Sequence, residues 1–146
     1  RDDRVDRHEQ RRRHRDQRVR RDQPDADRGW LLGIATGKSR RGVDRLIESQ
    51  GWQGWFATTQ SADDAPSKPD PAMLLQAMAE AGTRPTHTMM IGDTTFDMGM
   101  ATSAGAAGIG VSWGYHSPGA LRSAGAVTVV DSAEELSALF PRASAA

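Results

Sequence analysis

The chain has 146 residues, 37% of them hydrophobic, and its 19 basic and 19 acidic side chains cancel to a formal net charge of zero. This length suits a single domain with a modest core, and the balanced charge gives no overall attraction to nucleic acid. Cysteine is absent, which excludes a disulfide framework, a thiolate metal site and a cysteine nucleophile. No apolar run has the length of a membrane span or resembles a signal-peptide core, so we expect a cytoplasmic protein without a membrane partner.

The first 28 residues differ sharply in composition from the rest. They hold eleven Arg and eight acidic residues, and only Val5, Val19 and Ala26 are apolar. Their eight residue types can all be encoded by codons that begin with C or G, as in a GC-rich gene read out of frame. We therefore expect an out-of-frame or disordered charged segment over 1–28, followed by one domain over 29–146. An arginine-rich nucleic-acid arm is the third interpretation, and the interspersed acids weaken it.

From Trp30 onward, apolar runs alternate with helical patterns. Strands are predicted at WLLGIAT (30–36), WFATT (55–59), HTMMIGD (87–93), AAGIGVSW (106–113) and VTVV (127–130). Between and after them we predict helices that begin at Ser39, Asp70, near Phe96, near Ser117 and at Ser132, the last with Glu135 in a capping box. Gly51 and Gly82 are the predicted ends of the first two helices. This alternation predicts an α/β fold with a three-layer, doubly wound parallel sheet, in which ligands bind at the carboxyl ends of the strands.

The segment GIATGKS, residues 33–39, follows the first apolar run and is similar to a nucleotide P-loop. The P-loop pattern G-x-x-x-x-G-K-[ST] requires glycine at the position of Leu32. We therefore favour a different phosphate contact, in which the Thr36 hydroxyl and the Gly37 N–H face an anion near a helix N-terminus. An ATP- or GTP-binding loop and a plain strand-to-helix turn are the alternatives. Lys38 is expected to be a surface lysine of the first helical turn.

Two later segments carry charged residues near predicted strand ends. Lys68, in SKPDP, can place a positive charge on a phosphate, although a lone loop lysine is usually only solvated. Asp93, in IGDTTFD, follows a strand, and Asp97 lies four residues later on the same side of the first helical turn. Two such carboxylates can hold Mg²⁺. The alternative is that Asp93 only caps the helix and that Asp97 is a solvated acid.

The order and spacing of these motifs resemble those of the haloacid dehalogenase superfamily. Residues 30–140 are similar to the second half of its core domain, and KPDPAMLLQAM, MIGDTTFDMGMATSAGA and GVSWGYHSPGAL are most like the phosphoglycolate phosphatase-type members. The resemblance implies a Rossmann-like core and a Mg²⁺-dependent hydrolase of small phosphorylated metabolites that works through an aspartyl-phosphate intermediate. It assigns catalysis to Lys68 and Thr36, phosphate binding to these two and Gly37, and the metal to Asp93 and Asp97.

One motif of that family, an apolar strand ending in D-x-D-G, does not occur in the sequence. PDADRG, residues 24–29, is similar to it through Asp25 and Asp27, but Arg28 occupies the position of the glycine. The segment also lies too close to Thr36 to leave room for the helix and the cap domain that separate the two motifs in the family. We therefore expect an incomplete core that lacks the attacking aspartate, the first strand and the helical cap. Its sheet would either keep a gap or collapse to a new strand pairing, with exposed apolar surface.

Two further interpretations concern activity and the rim of the site. A non-catalytic half-domain that binds phosphate or Mg²⁺ is the main alternative to an enzyme. The WGYH loop, with Tyr115 and His116, either lines the site or forms a polar turn after a strand.

Overall fold

The computed structural model of the chain describes residues 29–141, where parallel strands alternate with helices. The strands are β1 (Gly33–Ala35), β2 (Thr58–Gln60), β3 (Met89–Gly92), β4 (Ala107–Val111) and β5 (Ala126–Val130). The helices are α1 (Arg40–Gln50), α2 (Ala72–Ala81), α3 (Thr95–Ala104), α4 (Pro118–Ser123) and α5 (Ala133–Ala138), with a 3₁₀ turn at Pro85–His87. The order of elements is the predicted one. The charged segment 1–28, with its Asp25 and Asp27, lies outside the described residues.

The strands form two separate parallel sheets. β1 pairs with β2, and β4 lies between β3 and β5. Within residues 29–141, β1 has no second strand partner, and neither has β3. These are the strands that lead to Thr36 and Asp93, so the predicted gap in the sheet is found at the predicted place.

Helix boundaries follow the predicted capping residues. The Ser39 hydroxyl accepts a hydrogen bond from the N–H of Gly42, and Gly51 ends α1 in the left-handed conformation. Before α2, the Asp70 carboxylate accepts from the N–H of Ala72 at 2.8 Å. Side chains that accept these otherwise unpaired N–H groups stabilise a helix start. The start of α1 at Ser39 is confirmed. The start of α2 is one residue later than predicted, because Pro71, and not Asp70, is the capping position that precedes its first helical residue.

Two local predictions are wrong in part. The Ser132 hydroxyl accepts from the N–H of Glu135 as predicted, but the Glu135 carboxylate accepts from the N–H of Asp131, so the capping box is not reciprocal. The first strand is also shorter than the apolar run WLLGIAT suggests. Only Gly33–Ala35 pair with β2, because strand length is set by a hydrogen-bonded neighbour and β1 has one such neighbour.

The main core lies under α2 and α3. Its buried members are apolar residues of these two helices: Met73, Leu74, Met78, Met100, Ala101 and Ala104. Ala35 of β1 and Met90 of β3 pack against this cluster, so one apolar layer joins the two sheets. Ile91 of β3 is left 41% exposed. Within residues 29–141, no helix combines the length and the apolar character needed to cross a bilayer.

Candidate active site

A cavity of about 320 Å³ lies where the chain leaves β1 and β3. Four of the five predicted site residues line it, namely Gly37, Lys68, Asp93 and Asp97. Gly37 follows β1, Lys68 belongs to the loop between β2 and α2, and the two aspartates flank the start of α3. The carboxyl ends of parallel strands are the usual ligand position in such folds, and the predicted convergence of these residues is observed.

Lys68 and Asp97 form an ion pair across the cavity wall. The Lys68 Nζ donates to Asp97 Oδ1 at 2.5 Å, and the two side chains are 16% and 7% exposed. The other carboxylate oxygen, Oδ2, accepts from the N–H and the hydroxyl of Thr94, whose hydroxyl accepts in turn from the N–H of Asp97. Thr94 therefore caps α3 in a reciprocal capping box. The alternative in which Asp93 is the cap and Asp97 a solvated acid is wrong.

Gly92 makes room for the Asp97 carboxylate. A Cβ atom at position 92 would lie 2.4 Å from both the Cβ and the Oδ2 of Asp97. No side chain fits at that distance without displacing its neighbour. The carboxylate is thus fixed by Lys68, by Thr94 and by the bare backbone of β3, and its direction is set before any ligand binds.

Asp93 is held by the loop that follows β4. Its Oδ2 accepts from the N–H of Tyr115 at 3.0 Å, and its carbonyl oxygen accepts from the N–H of His116 at 3.0 Å. The His116 ring adds a third contact, because its Nδ1 accepts from the N–H of Thr95 at 2.8 Å. Within residues 29–141, no hydrogen bond reaches the second oxygen of Asp93, Oδ1.

Of the two interpretations of the WGYH loop, the structure supports the turn after a strand, because none of its residues is among those that line the cavity. Tyr115 is 89% exposed, and only the backbone of this residue contacts Asp93. Sequence reasoning missed Gly114 and the acceptor role of His116, since neither shows any signal in local spacing.

Thr36 and Gly37 follow the end of β1. The Thr36 hydroxyl oxygen accepts from the N–H of Lys38 at 3.2 Å, and Thr36 itself is not among the residues that line the cavity. Gly37 lines it, and no hydrogen bond within residues 29–141 involves its N–H. Lys38 is exposed and precedes α1, so its predicted place in the first helical turn is wrong, while its surface position is confirmed.

Arg40 and Asp64 fix the loop that carries Lys68. The Arg40 guanidinium contacts Asp64 Oδ2 at 2.5 Å and donates to the Thr59 hydroxyl at 2.7 Å. The same Asp64 oxygen accepts from the N–H and the hydroxyl of Ser61. Hydrogen bonds from Ser61, with a further contribution from Arg40, hold the pKa of Asp64 below its ordinary value. The sequence suggested only a polar loop here.

The charged side chains of the cavity wall determine which ions the cavity can bind. Two carboxylates and one ammonium group line it, so their formal sum is negative. Across residues 29–141, no group of three or more His, Cys, Asp or Glu side chains comes together as a metal site. A cation bound here would need ligands from water or from a bound anion, which is how Mg²⁺ usually binds beside one or two carboxylates.

Comparison with known proteins identifies phosphatases among the relatives of this chain. The chain is 39% identical over 109 residues to the protein named probable phosphatase IndB of Dickeya dadantii, an alignment that covers 74% of this chain and 47% of that protein. It is 31% identical over 114 residues to a phosphoglycolate phosphatase of Pseudomonas putida, covering 77% and 41%. The chain thus spans less than half the length of these two curated relatives.

Solved structures agree with this fold. A structure described as a predicted phosphatase from Clostridium acetobutylicum superposes with a TM-score of 0.67 at 28% identity, covering 75% of this chain and 51% of the other. A haloacid dehalogenase-like family hydrolase from Streptococcus pneumoniae gives a TM-score of 0.68 at 21% identity over 80% and 59% of the two chains, which supports the fold alone. The predicted Rossmann-like α/β core is confirmed.

A family model also matches the chain. It describes the haloacid dehalogenase-like hydrolases and covers residues 26–111. That range contains β1, the loop with Lys68, and β3 with Asp93 and Asp97. The chain therefore belongs to the haloacid dehalogenase-like hydrolase family.

Proposed function

We propose that this chain forms the phosphate- and Mg²⁺-binding part of a phosphomonoester hydrolase. One observation carries this function: Gly37, Lys68, Asp93 and Asp97 converge on a single cavity at the strand ends. The names of the relatives, a probable phosphatase and a phosphoglycolate phosphatase, support a small phosphorylated metabolite as the ligand. A cavity of about 320 Å³ is large enough for such a molecule.

The balance of charge supports a divalent cation. A phosphate dianion entering the cavity would be repelled by Asp93 and Asp97, with only Lys68 to offset them. Asp93 Oδ1 has no hydrogen bond within residues 29–141 and suits a hard cation. Asp97 Oδ1 accepts from Lys68, and its Oδ2 accepts twice from Thr94, so Asp97 has less free acceptor capacity than Asp93 and would orient water on the metal. Bound Mg²⁺ would offset phosphate charge and polarise the phosphorus–oxygen bonds.

The remaining residues would bind and orient the phosphate. The ion pair with Asp97 holds the Lys68 ammonium at the cavity, and the ammonium keeps two further N–H donors for phosphate oxygens. The Gly37 N–H would donate a second hydrogen bond to the phosphate, since it has no partner in the described region. The Thr36 oxygen accepts from Lys38, which leaves the Thr36 proton free to donate to an anion near Gly37.

The chemistry of phosphate release would require an attacking carboxylate. In the proposed reaction an aspartate oxygen forms a bond to phosphorus, the ester oxygen leaves and takes a proton, and water then hydrolyses the aspartyl phosphate. The 146 residues contain no D-x-D-G segment. We therefore propose that this chain binds phosphate with Mg²⁺ and does not turn over an ester alone.

A second candidate is a binding protein without any catalytic step. The absent D-x-D-G segment favours it, as do the second edges of β1 and β3, which have no strand partner among residues 29–141. Reading the DNA upstream of this sequence in all three frames separates the two candidates. An apolar strand pattern ending in D-x-D-G would support an enzyme, and its absence would support the binding protein.

Calorimetry and a turnover assay test the proposed function on the chain itself. We expect inorganic phosphate to bind only when Mg²⁺ is present, and Asp93→Asn to abolish this binding. Asp131→Asn, which removes an exposed carboxylate that does not line the cavity, should leave it unchanged. Hydrolysis of p-nitrophenyl phosphate should stay at the buffer rate. A folded chain that binds no phosphate would overturn the function, and turnover that depends on Asp93 would overturn the claim of inactivity.

A further inference from the structure

We infer that the turn formed by residues 113–116, the WGYH turn, is a positioning element that sets the direction of the Asp93 carboxylate. The inference rests on the proposed function in one respect, namely that Asp93 holds Mg²⁺. The positioning itself follows from contacts between two loops. One loop joins β3 to α3 and contains Asp93, and the other joins β4 to α4 and contains Gly114 and Tyr115.

Three hydrogen bonds join the WGYH turn to Asp93 and to the first residue of α3. The N–H of Tyr115 donates to Asp93 Oδ2, the N–H of His116 donates to the Asp93 carbonyl, and the N–H of Thr95 donates to His116 Nδ1. Two of these bonds are donated by the turn and one is donated to it, so they restrict both the translation and the rotation of the turn relative to Asp93. A hydrogen bond to an ionised carboxylate is roughly twice as strong as one between neutral groups. The Asp93 side chain therefore has one preferred direction.

Gly114 is the residue that permits this arrangement. A Cβ atom at position 114 would lie 2.2 Å from the Asp93 Cβ and 2.4 Å from its Oδ2. Its backbone is not in the left-handed region, so glycine is required here for space and not for its dihedral angles. Any side chain at this position would push the carboxylate away from the Tyr115 N–H.

The fixed direction has a consequence for metal binding. Because Oδ2 is held by the Tyr115 N–H, Oδ1 is the oxygen without a protein partner in residues 29–141. A residue that orients a metal ligand in this way typically contributes 10- to 100-fold to metal affinity. Gly114 and the Tyr115 N–H thus act through Asp93, as positioning groups without contact to a substrate.

The sharpest test compares two identical chemical changes. Gly114→Ala adds a methyl group against Asp93, whereas Gly119→Ala adds one that meets no atom within 4 Å apart from its chain neighbours and the backbone of its own helix. When each protein is titrated with Mg²⁺ in a calorimeter, we expect Gly114→Ala to raise the dissociation constant for Mg²⁺ by about 10- to 100-fold. Gly119→Ala should match the unmodified chain. Equal affinities for both variants would overturn the inference, whereas an unmodified chain that binds no Mg²⁺ would count against the proposed function.

A metal-free readout tests the positioning separately. In a ¹H–¹⁵N spectrum of the unmodified chain, the Tyr115 amide should be protected from exchange with D₂O, because it is bonded to Asp93. Asp93→Ala should remove that protection while leaving the amides of β5 protected. This variant keeps glycine at position 114, so it serves even if Gly114→Ala does not fold. A Tyr115 amide that exchanges equally fast in both proteins would contradict the positioning role.

Discussion

Lys68 and Asp97 lie 29 residues apart in the chain and meet at 2.5 Å between Nζ and Oδ1. Lys68 arrives from the loop after β2 and Asp97 from the first turn of α3. Because Lys68 follows a strand of the β1–β2 sheet and α3 follows β3 of the other sheet, this ion pair joins the two sheets at the cavity. The same two groups therefore contribute to stability and to the proposed phosphate site.

Loss of the lysine should destabilise the fold. Lys68→Met would leave the Asp97 carboxylate buried with only its Thr94 contacts. We expect the free energy of unfolding in urea to fall by about 2 kcal/mol, the usual cost of a buried charged group that loses a partner. Lys38→Met, at an exposed position, should change it by less than about 0.5 kcal/mol.

A double variant shows whether the effect belongs to the pair. Lys68→Met combined with Asp97→Asn should cost less than the sum of the two single changes, with a coupling of about 1 kcal/mol or more. Strictly additive losses would mean that the two side chains do not stabilise each other.

Gly92→Ala should displace the Asp97 carboxylate from its position against β3. Its new methyl group would meet Asp97 at 2.4 Å, and overpacking of this kind typically costs about 1–3 kcal/mol. Thermal and urea unfolding measure the loss. Gly119→Ala is the control and should not be destabilised, because it lies in α4 and Ala favours a helix over Gly. Unfolding curves that superpose for all three proteins would contradict the close packing of Asp97 on β3.

A fall in pH should weaken the contact between Arg40 and Asp64 over a defined pH range. Ser61 first, and Arg40 in addition, lower the pKa of Asp64 from 3.8. A carboxyl that binds its proton less readily in the folded chain stabilises folding above its ordinary pKa, and this contribution is lost as the pH falls through the folded value.

A pH series of urea unfolding curves checks that sign. Asp64→Asn should lower the free energy of unfolding near neutral pH, and its difference from the unmodified chain should shrink from about pH 5 to about pH 3. Asp131→Asn provides the control. A difference for Asp64→Asn that stays constant over this range would contradict the lowered pKa.

The gap in the sheet should promote self-association of the chain. β1 and β3 each have one unpaired edge in the described region, and Ile91 is 41% exposed. Exposed strand edges and apolar side chains pair with other chains. Sedimentation velocity should show larger species as the protein concentration rises, and solubility should be poor.

Two substitutions locate the surface responsible. Ile91→Lys should reduce association more than Leu75→Lys, although Leu75 is similarly exposed at 45% on the surface of α2. A soluble monomer with a sharp, cooperative thermal transition would contradict the expected association.

Local patterns predicted the parts of this structure that depend on neighbours in sequence. Alternating apolar runs and capping residues such as Ser39 predicted the order of elements, and motif spacing predicted that Lys68, Asp93 and Asp97 share a site. The shortness of β1 was not predictable from its apolar run, because strand length depends on a pairing partner.

Contacts between distant loops were beyond the reach of sequence patterns. The bond from the Tyr115 N–H to Asp93 and the contact of Arg40 with Asp64 join residues 22 and 24 positions apart. Both contacts arise only when parallel strands bring their ends to the same edge of a sheet. A backbone N–H donor also has no signature in residue type, so Tyr115 suggested a side-chain role that its 89% exposure does not support.

The choice between Lys68 and Lys38 tests the proposed site most directly. Lys68 lines the cavity, whereas Lys38 is the exposed lysine of the P-loop-like segment GIATGKS. Isothermal titration of inorganic phosphate in the presence of Mg²⁺ should be run on Lys68→Met and Lys38→Met, each at a temperature where circular dichroism shows it folded. We predict that phosphate binding is lost in Lys68→Met and unchanged in Lys38→Met. Binding that survives without Lys68 and disappears without Lys38 would contradict the proposed site.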